Sequence, residues 1–416
     1  MEKIITLSNG LRLAHMYLPN RRSVSVGVFV RTGSRNETIE NNGISHFIEH
    51  VCFKGTQKRT SMGIVEEIAE YGAGINAFTS KEMTAYYVTC VDIYADKVTE
   101  VLADLFINHT FPEEEIEKEK GVVLEEISMV QDDPEDLCQE LCASALFGNQ
   151  PLGRTILGTA ENVKGFTVPQ LHDYVSSRYV AENIVISIAG NISEEDALAL
   201  TNKYFGSIKS GRCNPASPKL ENSYGFSYAI KDNAQSNLCI AFDGFPYGSK
   251  HEAALSVVNT VLGGGMCSLL FQRVREQLGL AYSVYTYPSA YYDSGAFYVY
   301  LGTNPKTLKQ SIVATKEVIA KLKTKDISED ILRRGRQQLI GGYVLGQEST
   351  EALMRAMGKS VLFLDKTFDI NEKLKAVEKV TKEDVSQVID GLFGKCAVGY
   401  VGVEPDFNIK DLVDHE

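Results

Sequence analysis

Two runs of apolar residues stand out along the chain, one in each half. Val24–Val30 and Leu238–Phe242 are rich in aliphatic and aromatic side chains, and each run predicts a strand that is buried in a sheet. In both halves a helical stretch follows the run, then paired strands, then long helices. This order of elements predicts an α+β fold in which sheets pack against helices.

Each half also closes with a similar helix-and-strand unit. The first unit begins at Thr167 and its strand ends at Gly190, and the second begins at Thr381 and ends at Gly402. The spacing from threonine to glycine is nearly the same in both units. The sequence therefore predicts that one α+β domain was duplicated.

The length and composition agree with two globular domains. With 416 residues the chain is too long for one ordinary core, so two domains of roughly 200 residues are expected. We place them at residues 1–210 and 220–416, with the polar, proline-containing stretch Ser207–Ser217 as the linker between them. Hydrophobic residues make up 44% of the chain and charged residues 23%, which is typical of globular proteins.

Charge and hydropathy exclude several classes of partner. The net charge of −12, without a run rich in lysine or arginine, argues against nucleic acid. No stretch approaches the roughly 20 apolar residues of a membrane span, and Met1–Thr6 lacks the pattern of a signal peptide. We therefore expect a cytoplasmic protein. The negative charge either serves solubility or attracts cationic peptides, and the sequence leaves both open.

The eight cysteines are dispersed without CxxC pairs. In a cytoplasmic chain we expect them to be reduced and buried, where they behave as small apolar residues. Cys138 and Cys142 stand four apart on a predicted helix, but no second pair completes a metal site.

The segment His46–His50 carries the clearest chemical pattern. Asn41–Gly43 offers a helix start and Gly55 a stop, so a helix is expected between them. Residues four apart on a helix share a face, which lets His46 and His50 point at one metal ion. Neutral imidazoles are typical zinc ligands.

Glu49 lies between the two histidines around the helix and directly beside the second. A carboxylate at this position can take a proton from water, and zinc lowers the pKa of water that it binds to about 7. The order His-x-x-Glu-His is the inverse of the commoner His-Glu-x-x-His zinc motif and is the inverzincin pattern. The segment thus predicts the zinc-binding, catalytic core of a metallopeptidase.

A carboxylate from elsewhere is expected to complete the site, because catalytic zinc commonly has three protein ligands and one open position. A second helix is predicted over Pro112–Gln131, with an acidic first turn and a stop before Pro134. Glu119 and Glu126 on this helix face the same way, about two turns apart. Spacing alone does not choose among Glu119, Glu125 and Glu126.

The histidine motif is one of several motifs that are spaced along the chain. They are Gly33–Arg35 with Glu37, Gly43–His50, Phe53–Thr56, Asn76–Thr79, Thr84–Tyr87, Glu119–Met129, Pro151–Gly158 and Leu262–Met266. Through these segments nearly the whole chain resembles the pitrilysin-like (M16, inverzincin) metallopeptidases, especially the M16B subgroup that contains mitochondrial processing peptidase. The resemblance implies the LuxS/MPP-like metallohydrolase fold: α+β, with two homologous domains, each a mostly antiparallel sheet packed with helices.

The resemblance also implies roles for the acidic residues of the predicted helix. Glu126 matches the distal glutamate that joins His46 and His50 on the zinc ion, with one Zn²⁺ per chain. Glu119 matches an acidic position that supports the site without binding the metal. The domain at 1–210 would then be the catalytic, zinc-binding one.

In the domain at 220–416, Arg275 and Tyr282 resemble a pair that holds substrate and stabilises the transition state in this family. The chain departs from the family nearby, since relatives often carry arginine after Met-Ser-Ser and here Leu269 follows Met266–Ser268. This departure affects the contacts expected of the glycine-rich loop, and leaves the zinc chemistry unchanged.

Substrate contacts follow from the same resemblance. Asn76, Ala77 and Phe78 match an edge strand to which substrate adds as a further strand, a mode in which backbone pairing supplies affinity. Asp136 and Glu140 lie where processing peptidases receive basic side chains upstream of the cut, so we expect a preference for arginine or lysine there. From the residues alone, an ordinary edge strand and a solvated helix face are the alternatives.

Relatives enclose peptide substrates in a chamber of four related domains, of which this chain supplies two. The resemblance therefore implies a homodimer, or a heterodimer with a paralogue, in which the Arg275 and Tyr282 that act at one zinc come from the same or from the partner chain. Two other functions remain alternatives: a catalytically idle structural subunit, and a peptide-binding module that retains zinc. The predicted function is zinc-dependent cleavage of unfolded peptides or of leader and targeting peptides.

Overall fold

The computed structural model of the protein describes residues 2–213 and 220–414, so residues 214–217 of the predicted linker lie outside the described residues. The described residues form two compact units, each with its own sheet and hydrophobic core. Within these ranges no helix is both long enough and apolar enough to cross a membrane. The expected cytoplasmic location stays a prediction from sequence.

The first unit is built on six strands. They are β1 Glu2–Thr6, β2 Arg12–Tyr17, β3 Ser23–Val30, β4 Gly74–Thr79, β5 Thr84–Val91 and β6 Ile184–Gly190. Their order in the sheet is β1-β2-β6-β3-β5-β4, with β2 and β6 parallel and every other pair antiparallel. The central strands β3 and β6 are almost entirely buried, as the apolar run at Val24–Val30 predicts.

The second unit is built on five strands among the described residues. They are β7 Phe226–Ile230, β8 Ser236–Asp243, β9 Ala281–Ala290, β10 Gly295–Thr303 and β11 Cys396–Gly402. The order β7-β11-β8-β10-β9 repeats β2-β6-β3-β5-β4, and β7 and β11 are again the parallel pair. The α+β class and the duplicated, mostly antiparallel sheets are therefore confirmed.

Helices cover the sheets in both units. They are α1 Ile44–Cys52, α2 Ser61–Glu70, α3 Ala95–Ile107, α4 Glu113–Asp132, α5 Pro134–Phe147, α6 Ala160–Gly165, α7 Val168–Arg178, α8 Glu194–Phe205, α9 Glu252–Gly263, α10 Leu308–Lys323, α11 Glu329–Gly346, α12 Thr350–Leu364, α13 Ile370–Glu378, α14 Lys382–Leu392 and α15 Ile409–Asp414. A short π-helix, Phe271–Gln277, precedes β9.

The compact units are not continuous in sequence. Ser128–Arg154, with α5, belongs to the second unit, and Leu345–Asp369, with α12, belongs to the first. The predicted boundaries at 1–210 and 220–416 differ from the units at these two segments. The reason is packing: α5 buries its apolar side on β8 and β11, and α12 does the same on the equivalent strands β3 and β6. One helix from each half of the chain therefore packs on the sheet of the other half.

The two predicted helical cysteines take part in this packing. Cys138 Sγ donates to Asn237 O at 3.2 Å, and Cys142 Sγ donates to Cys239 O at 3.2 Å. Both thiols are fully buried, and this burial raises their pKa values. A Cβ on Gly399 of β11 would lie 2.5 Å from Cys138 O, so the glycine permits the close approach of α5. These cysteines are structural contacts between α5 and its sheet.

Candidate metal centre

The N-terminus of α1 is held by a buried carboxylate. Glu37, only 4% exposed, accepts hydrogen bonds from the backbone N–H of Gly43 at 2.7 Å and of Ser45 at 2.8 Å. Gly43 has φ 100°, and a Cβ there would lie 2.6 Å from Leu157 O, so only glycine fits. The predicted asparagine cap is replaced by this contact: Asn42 instead donates its side-chain amide to Glu37 at 2.9 Å. A carboxylate at a helix N-terminus satisfies free N–H groups and complements the helix dipole.

The helix presents both histidines to one carboxylate. The ring centroids of His46 and His50 are 4.6 Å apart. Glu126 Oε2 on α4 lies 3.6 Å from His46 Nε2 and 3.5 Å from His50 Nε2. Each of the three residues offers one ligand atom, and these atoms lie within 4.8 Å of one another. Within the described residues, His46, His50 and Glu126 form the one group of this kind.

The three candidate glutamates, which spacing alone could not distinguish, differ in their exposure and contacts. Glu125 is exposed and is not part of the group formed by His46, His50 and Glu126. Glu119 is 4% exposed; its Oε1 lies 2.9 Å from His50 Nδ1, and its Oε2 accepts from Lys54 Nζ at 2.6 Å. Burial tends to raise the pKa of Glu119, but His50 and Lys54 outweigh burial and lower it, which keeps the carboxylate ionised. Glu126 thus lies where it could bind a metal ion together with both histidines, whereas Glu119 contacts the other ring nitrogen of His50.

The residues fit a zinc ion. Ligand atoms about 2.0–2.2 Å from one tetrahedral zinc lie about 3.3–3.6 Å apart, which matches the separations of Glu126 from the two imidazoles. Glu126 Oε2 is buried without a hydrogen-bond partner, a costly situation that a cation relieves. Burial and the neighbouring His50 lower the pKa of His46 to about 3, so its imidazole is neutral, as a ligand must be.

His50 differs from His46 in its electrostatic surroundings. Burial favours the neutral form of His50, while its hydrogen bond to Glu119 and the charge of Glu126 raise its pKa above the ordinary value. Metal binding requires the neutral ring, so a zinc ion and a proton would compete for one nitrogen of His50, Nε2. The contact with Glu119 fixes Nδ1–H as the donor and leaves Nε2 for the metal.

Glu49 lies next to His50 on α1 and is not part of the group His46, His50 and Glu126. Its Oε2 accepts a hydrogen bond of 2.6 Å from Thr79 Oγ1, at the end of β4. Burial raises the pKa of Glu49, and the hydrogen bond from Thr79 acts in the opposite direction. A carboxylate with a raised pKa is suited to take and return a proton near neutral pH. Thr79 belongs to the segment Asn76–Thr79, which contributes to the family resemblance. The sequence of that segment alone does not predict the contact between Thr79 and Glu49.

The predicted substrate strand is the edge strand β4, which is last in the order of the first sheet. Asn76 is exposed and Phe78 half-buried, and both point to one side of the strand, while Ala77 packs on the core. The guanidinium of Arg355, on α12, lies 4.7 Å from the centroid of the Phe78 ring. The contact of Arg355 with Phe78 could not be predicted from the sequence, because the local pattern of α12 does not indicate which strand Arg355 faces.

The second unit carries the other predicted site residues. The guanidinium of Arg275 lies 5.0 Å from the centroid of the Tyr282 ring, and Tyr282 is 70% exposed. Asp136 and Glu140 lie one turn apart on α5. Burial and the neighbouring acidic residues raise the pKa of Asp136. Leu269, where relatives often carry arginine, packs on the second core.

The chain is similar to known proteins over most of its length. The family model described as "Insulinase (Peptidase family M16)" matches residues 12–160, and that described as "Peptidase M16 inactive domain" matches residues 165–339. A Bacillus subtilis protein named as an uncharacterized zinc protease is 41% identical over 94% of this chain and 96% of its own length. A zinc protease of the same description from Mycobacterium leprae is 37% identical over 94% of this chain and 89% of its own.

Solved structures share the fold. A Helicobacter pylori protease matches 97% of this chain and 99% of its own with a TM-score of 0.89 at 21% identity. A Pseudomonas fluorescens structure named as a peptidase M16 inactive domain matches 97% of this chain and 98% of its own with a TM-score of 0.90 at 19% identity.

The role of Glu119 is tested by comparison with its exposed neighbour on the same helix. Glu119→Gln removes the charge that orients His50, and we expect the zinc affinity to fall about 10–100-fold while the helix remains folded. Glu125→Gln is the matched control and leaves the affinity unchanged. Competition with a chromophoric chelator measures both, and equal affinities for the two variants would contradict the assignment.

Proposed function

The chain belongs to peptidase family M16 and is a zinc protease, and from this premise we propose that it is an endopeptidase that binds one Zn²⁺ per chain. Its proposed substrates are unfolded peptides, including leader or targeting peptides. The observation that carries the proposal is the meeting of His46, His50 and Glu126 beside the half-buried Glu49.

Three side chains would hold the metal. His46 and His50 supply Nε2 atoms and Glu126 supplies Oε2. When bound there, zinc lowers the pKa of water and polarises the scissile carbonyl. The chain of contacts from His50 through Glu119 to Lys54 keeps the imidazole in its orientation.

Glu49 moves the proton. Its carboxylate takes a proton from the attacking water and later returns it to the leaving amine, a role that its raised pKa supports. The hydrogen bond from Thr79 holds the Glu49 carboxylate at the end of β4. Thr79 thereby connects the proposed base directly to the proposed substrate-binding strand.

Substrate would add to β4 as a further antiparallel or parallel strand. The backbone of an edge strand offers hydrogen bonds to any sequence, which suits an enzyme that cleaves varied unfolded peptides. Side chains of the bound peptide that point to the side of Phe78 would meet that ring and Arg355. Asn76 is exposed and free to bond the peptide backbone except for its contact with Ala77 N–H at 2.8 Å.

We infer further that two chains assemble into a chamber in which Arg275 and Tyr282 of one chain serve the zinc of the other. The exposed Tyr282 hydroxyl and the adjacent guanidinium are suited to stabilise a developing oxyanion. The presence of every ligand and of this pair in one chain favours a homodimer over a heterodimer. It also favours an enzyme over an idle structural subunit.

The proposed role of Glu49 predicts a separation of metal binding from catalysis. Glu49→Gln keeps the shape and the Thr79 contact but cannot accept a proton, so kcat should fall about 10²–10⁴-fold while the zinc content is retained. Cleavage of a quenched fluorogenic peptide, with and without chelator, is the measurement. Activity near that of the unaltered chain would sink the proposal, and a zinc-free variant would move Glu49 into the ligand set.

The proposed preference for basic residues upstream of the cut is tested on α5. The double variant Asp136→Asn, Glu140→Gln removes two charges without changing side-chain size. We expect it to lose the enrichment of arginine and lysine among the sites cleaved in a peptide library. Glu125→Gln, on α4, serves as the control. An unchanged profile would show that these carboxylates do not select substrate.

The assembly is tested by mixing two inactive chains. One chain carries Glu49→Gln and the other Arg275→Ala, so a mixed dimer contains one complete site only if Arg275 acts across the interface. Statistical mixing then restores about a quarter of the full activity. No restoration, or an active monomer in sedimentation at assay concentration, would overturn the shared chamber.

A further inference from the structure

The two helices that are exchanged between the halves of the chain each carry a polar pair four residues apart. On α5 the pair is Glu135 and Gln139, and on α12 it is Glu351 and Arg355. In both helices these are the second and the sixth residues, so the pairs occupy equivalent places in the duplicated architecture. Residues four apart share one helix face, and each pair contacts strands at the edge of the sheet that its helix covers.

In the second unit the edge strand β9 satisfies the polar pair of α5. Tyr285 donates its hydroxyl to Glu135, and Tyr287 donates its hydroxyl to Gln139 Oε1 at 2.8 Å. Gln139 Nε2 in turn donates to the Tyr285 hydroxyl at 3.2 Å. Both members of the pair therefore have hydrogen-bond partners on the edge strand of their own unit.

The first unit differs at the equivalent place on its edge strand β4. With the two sheets aligned on Gly190 and Gly402, the glycines that end β6 and β11, the strand pairings place Asn76 where β9 has Tyr285. Asparagine is much shorter than tyrosine, and Asn76 Oδ1 accepts a hydrogen bond from the backbone N–H of the residue that follows it. Among the described residues of β4, none takes the part that the Tyr285 hydroxyl plays for α5.

Arg355 keeps unused hydrogen-bond donors as a result. Its Nη1 donates to Glu351 Oε1 at 3.4 Å, and the two side chains are 45% and 36% exposed. An exposed pair of this kind, four apart on a helix, contributes little to stability. Within the ranges that the structure describes, Glu351 is the one hydrogen-bond acceptor of Arg355, so Nε and Nη2 can serve a further carboxylate.

Two aromatic rings hold the Arg355 guanidinium in place. It lies 4.7 Å from the centroid of the Phe78 ring and 5.5 Å from that of the Tyr87 ring. The rings themselves meet edge to face, with their centroids 6.3 Å apart. Stacking on aromatic faces orients a guanidinium and leaves the N–H groups at its edge available. A preorganised positive charge therefore lies beside β4, on the side of the sheet to which Phe78 points.

We propose that Arg355 forms a subsite on β4 for an acidic side chain of the bound peptide. The inference rests on the proposed addition of substrate to β4 as a further strand. A peptide side chain directly opposite Phe78 would point to the same face of the sheet, with about 4.5–5.5 Å between the Cβ atoms. From there a glutamate or aspartate reaches Nε and Nη2 of Arg355, and two carboxylate oxygens match that fork of donors.

The position of the subsite relative to the cut follows from the next residue of β4. Thr79 adjoins Phe78 on the strand and contacts Glu49, the proposed base. A strand advances about 3.3 Å per residue, so the acidic residue of the peptide lies within about two residues of the scissile bond. This subsite is distinct from Asp136 and Glu140 on α5, which concern basic residues of the substrate.

Binding is measured apart from cleavage. The probe is a short fluorescein-labelled peptide of threonine and serine residues with one central glutamate, and its matched partner carries glutamine in that position. A chelator in the buffer prevents zinc-dependent cleavage. Fluorescence anisotropy should then show that the glutamate peptide binds the full chain about tenfold more tightly than the glutamine peptide, because a charged hydrogen bond is gained.

Variants of Arg355 test whether its charge selects the peptide. Arg355→Gln should make the two peptides bind equally. Arg355→Glu should reverse the preference, so that a peptide with a central lysine binds more tightly than the glutamate peptide, a result that a merely structural role would not produce. Arg22→Gln is the matched control, since Arg22 also forms an exposed ion pair in the first unit, with Asp92, but lies at the far end of β5 from Phe78. It should keep the preference unchanged, and circular dichroism with a thermal melt checks that each variant is folded.

Equal binding of the glutamate and glutamine peptides to the unaltered chain would overturn the proposal. So would a preference that persists in Arg355→Gln, or one that Arg22→Gln removes to the same extent. Cleavage is a separate readout. If the glutamate peptide binds more tightly but no peptide is cleaved once zinc is restored, the proposed endopeptidase function fails and the subsite stands. If a peptide library is cleaved without enrichment of acidic residues near the cut, the endopeptidase function stands and the subsite fails.

Discussion

The contact between α1 and α4 is the interaction on which the site depends. Helix α4 fully buries Ile116, Glu119 and Val123, and its Leu124 and Ile127 are partly buried against the first core. One of its three fully buried residues is therefore a carboxylate. Such burial is unfavourable unless the charge is paired, and here His50 and Lys54 both pair with it. The same ionic contact therefore docks the helix and orients His50, a proposed ligand, and the candidate metal centre lies where two elements distant in sequence meet.

The placement of α1 extends this constraint to the substrate strand. Glu37 holds the N-terminal end of the helix, and Thr79 at the end of β4 contacts Glu49. Ligands, base and edge strand are consequently fixed to one another by hydrogen bonds between buried or half-buried groups. Under the proposed function such preorganisation is required, because backbone pairing with β4 would have to bring any scissile bond to the same point.

Much of this could be predicted from the sequence. The apolar runs give the central strands, the repeated closing unit gives the duplication, and the spacing of His46 and His50 gives a metal-binding face. The choice of Glu126 over Glu125 could not be made from spacing, because one residue of rotation around α4 decides which carboxylate meets the histidines. Only the resemblance to the family indicated Glu126 in advance, and in the structure the Glu126 carboxylate lies beside both imidazoles.

Other features lie beyond local patterns altogether. The exchange of α5 and α12 depends on which sheet each amphipathic helix covers. An amphipathic pattern predicts that one face is buried, but it does not predict the sheet on which that face packs. Arg355 reaches Phe78 only through that exchange, and Thr79 reaches Glu49 only because the end of β4 lies beside α1. Tertiary placement, rather than composition, supplies these contacts.

X-ray absorption at the zinc edge tests the central claim most directly. The account predicts a first shell of nitrogen and oxygen atoms only, at about 2.0–2.2 Å, with imidazole scattering from two histidines that becomes one in His46→Ala. A first shell that contains sulfur at about 2.3 Å would place the metal at cysteines and contradict the account. So would a spectrum that is unchanged by His46→Ala.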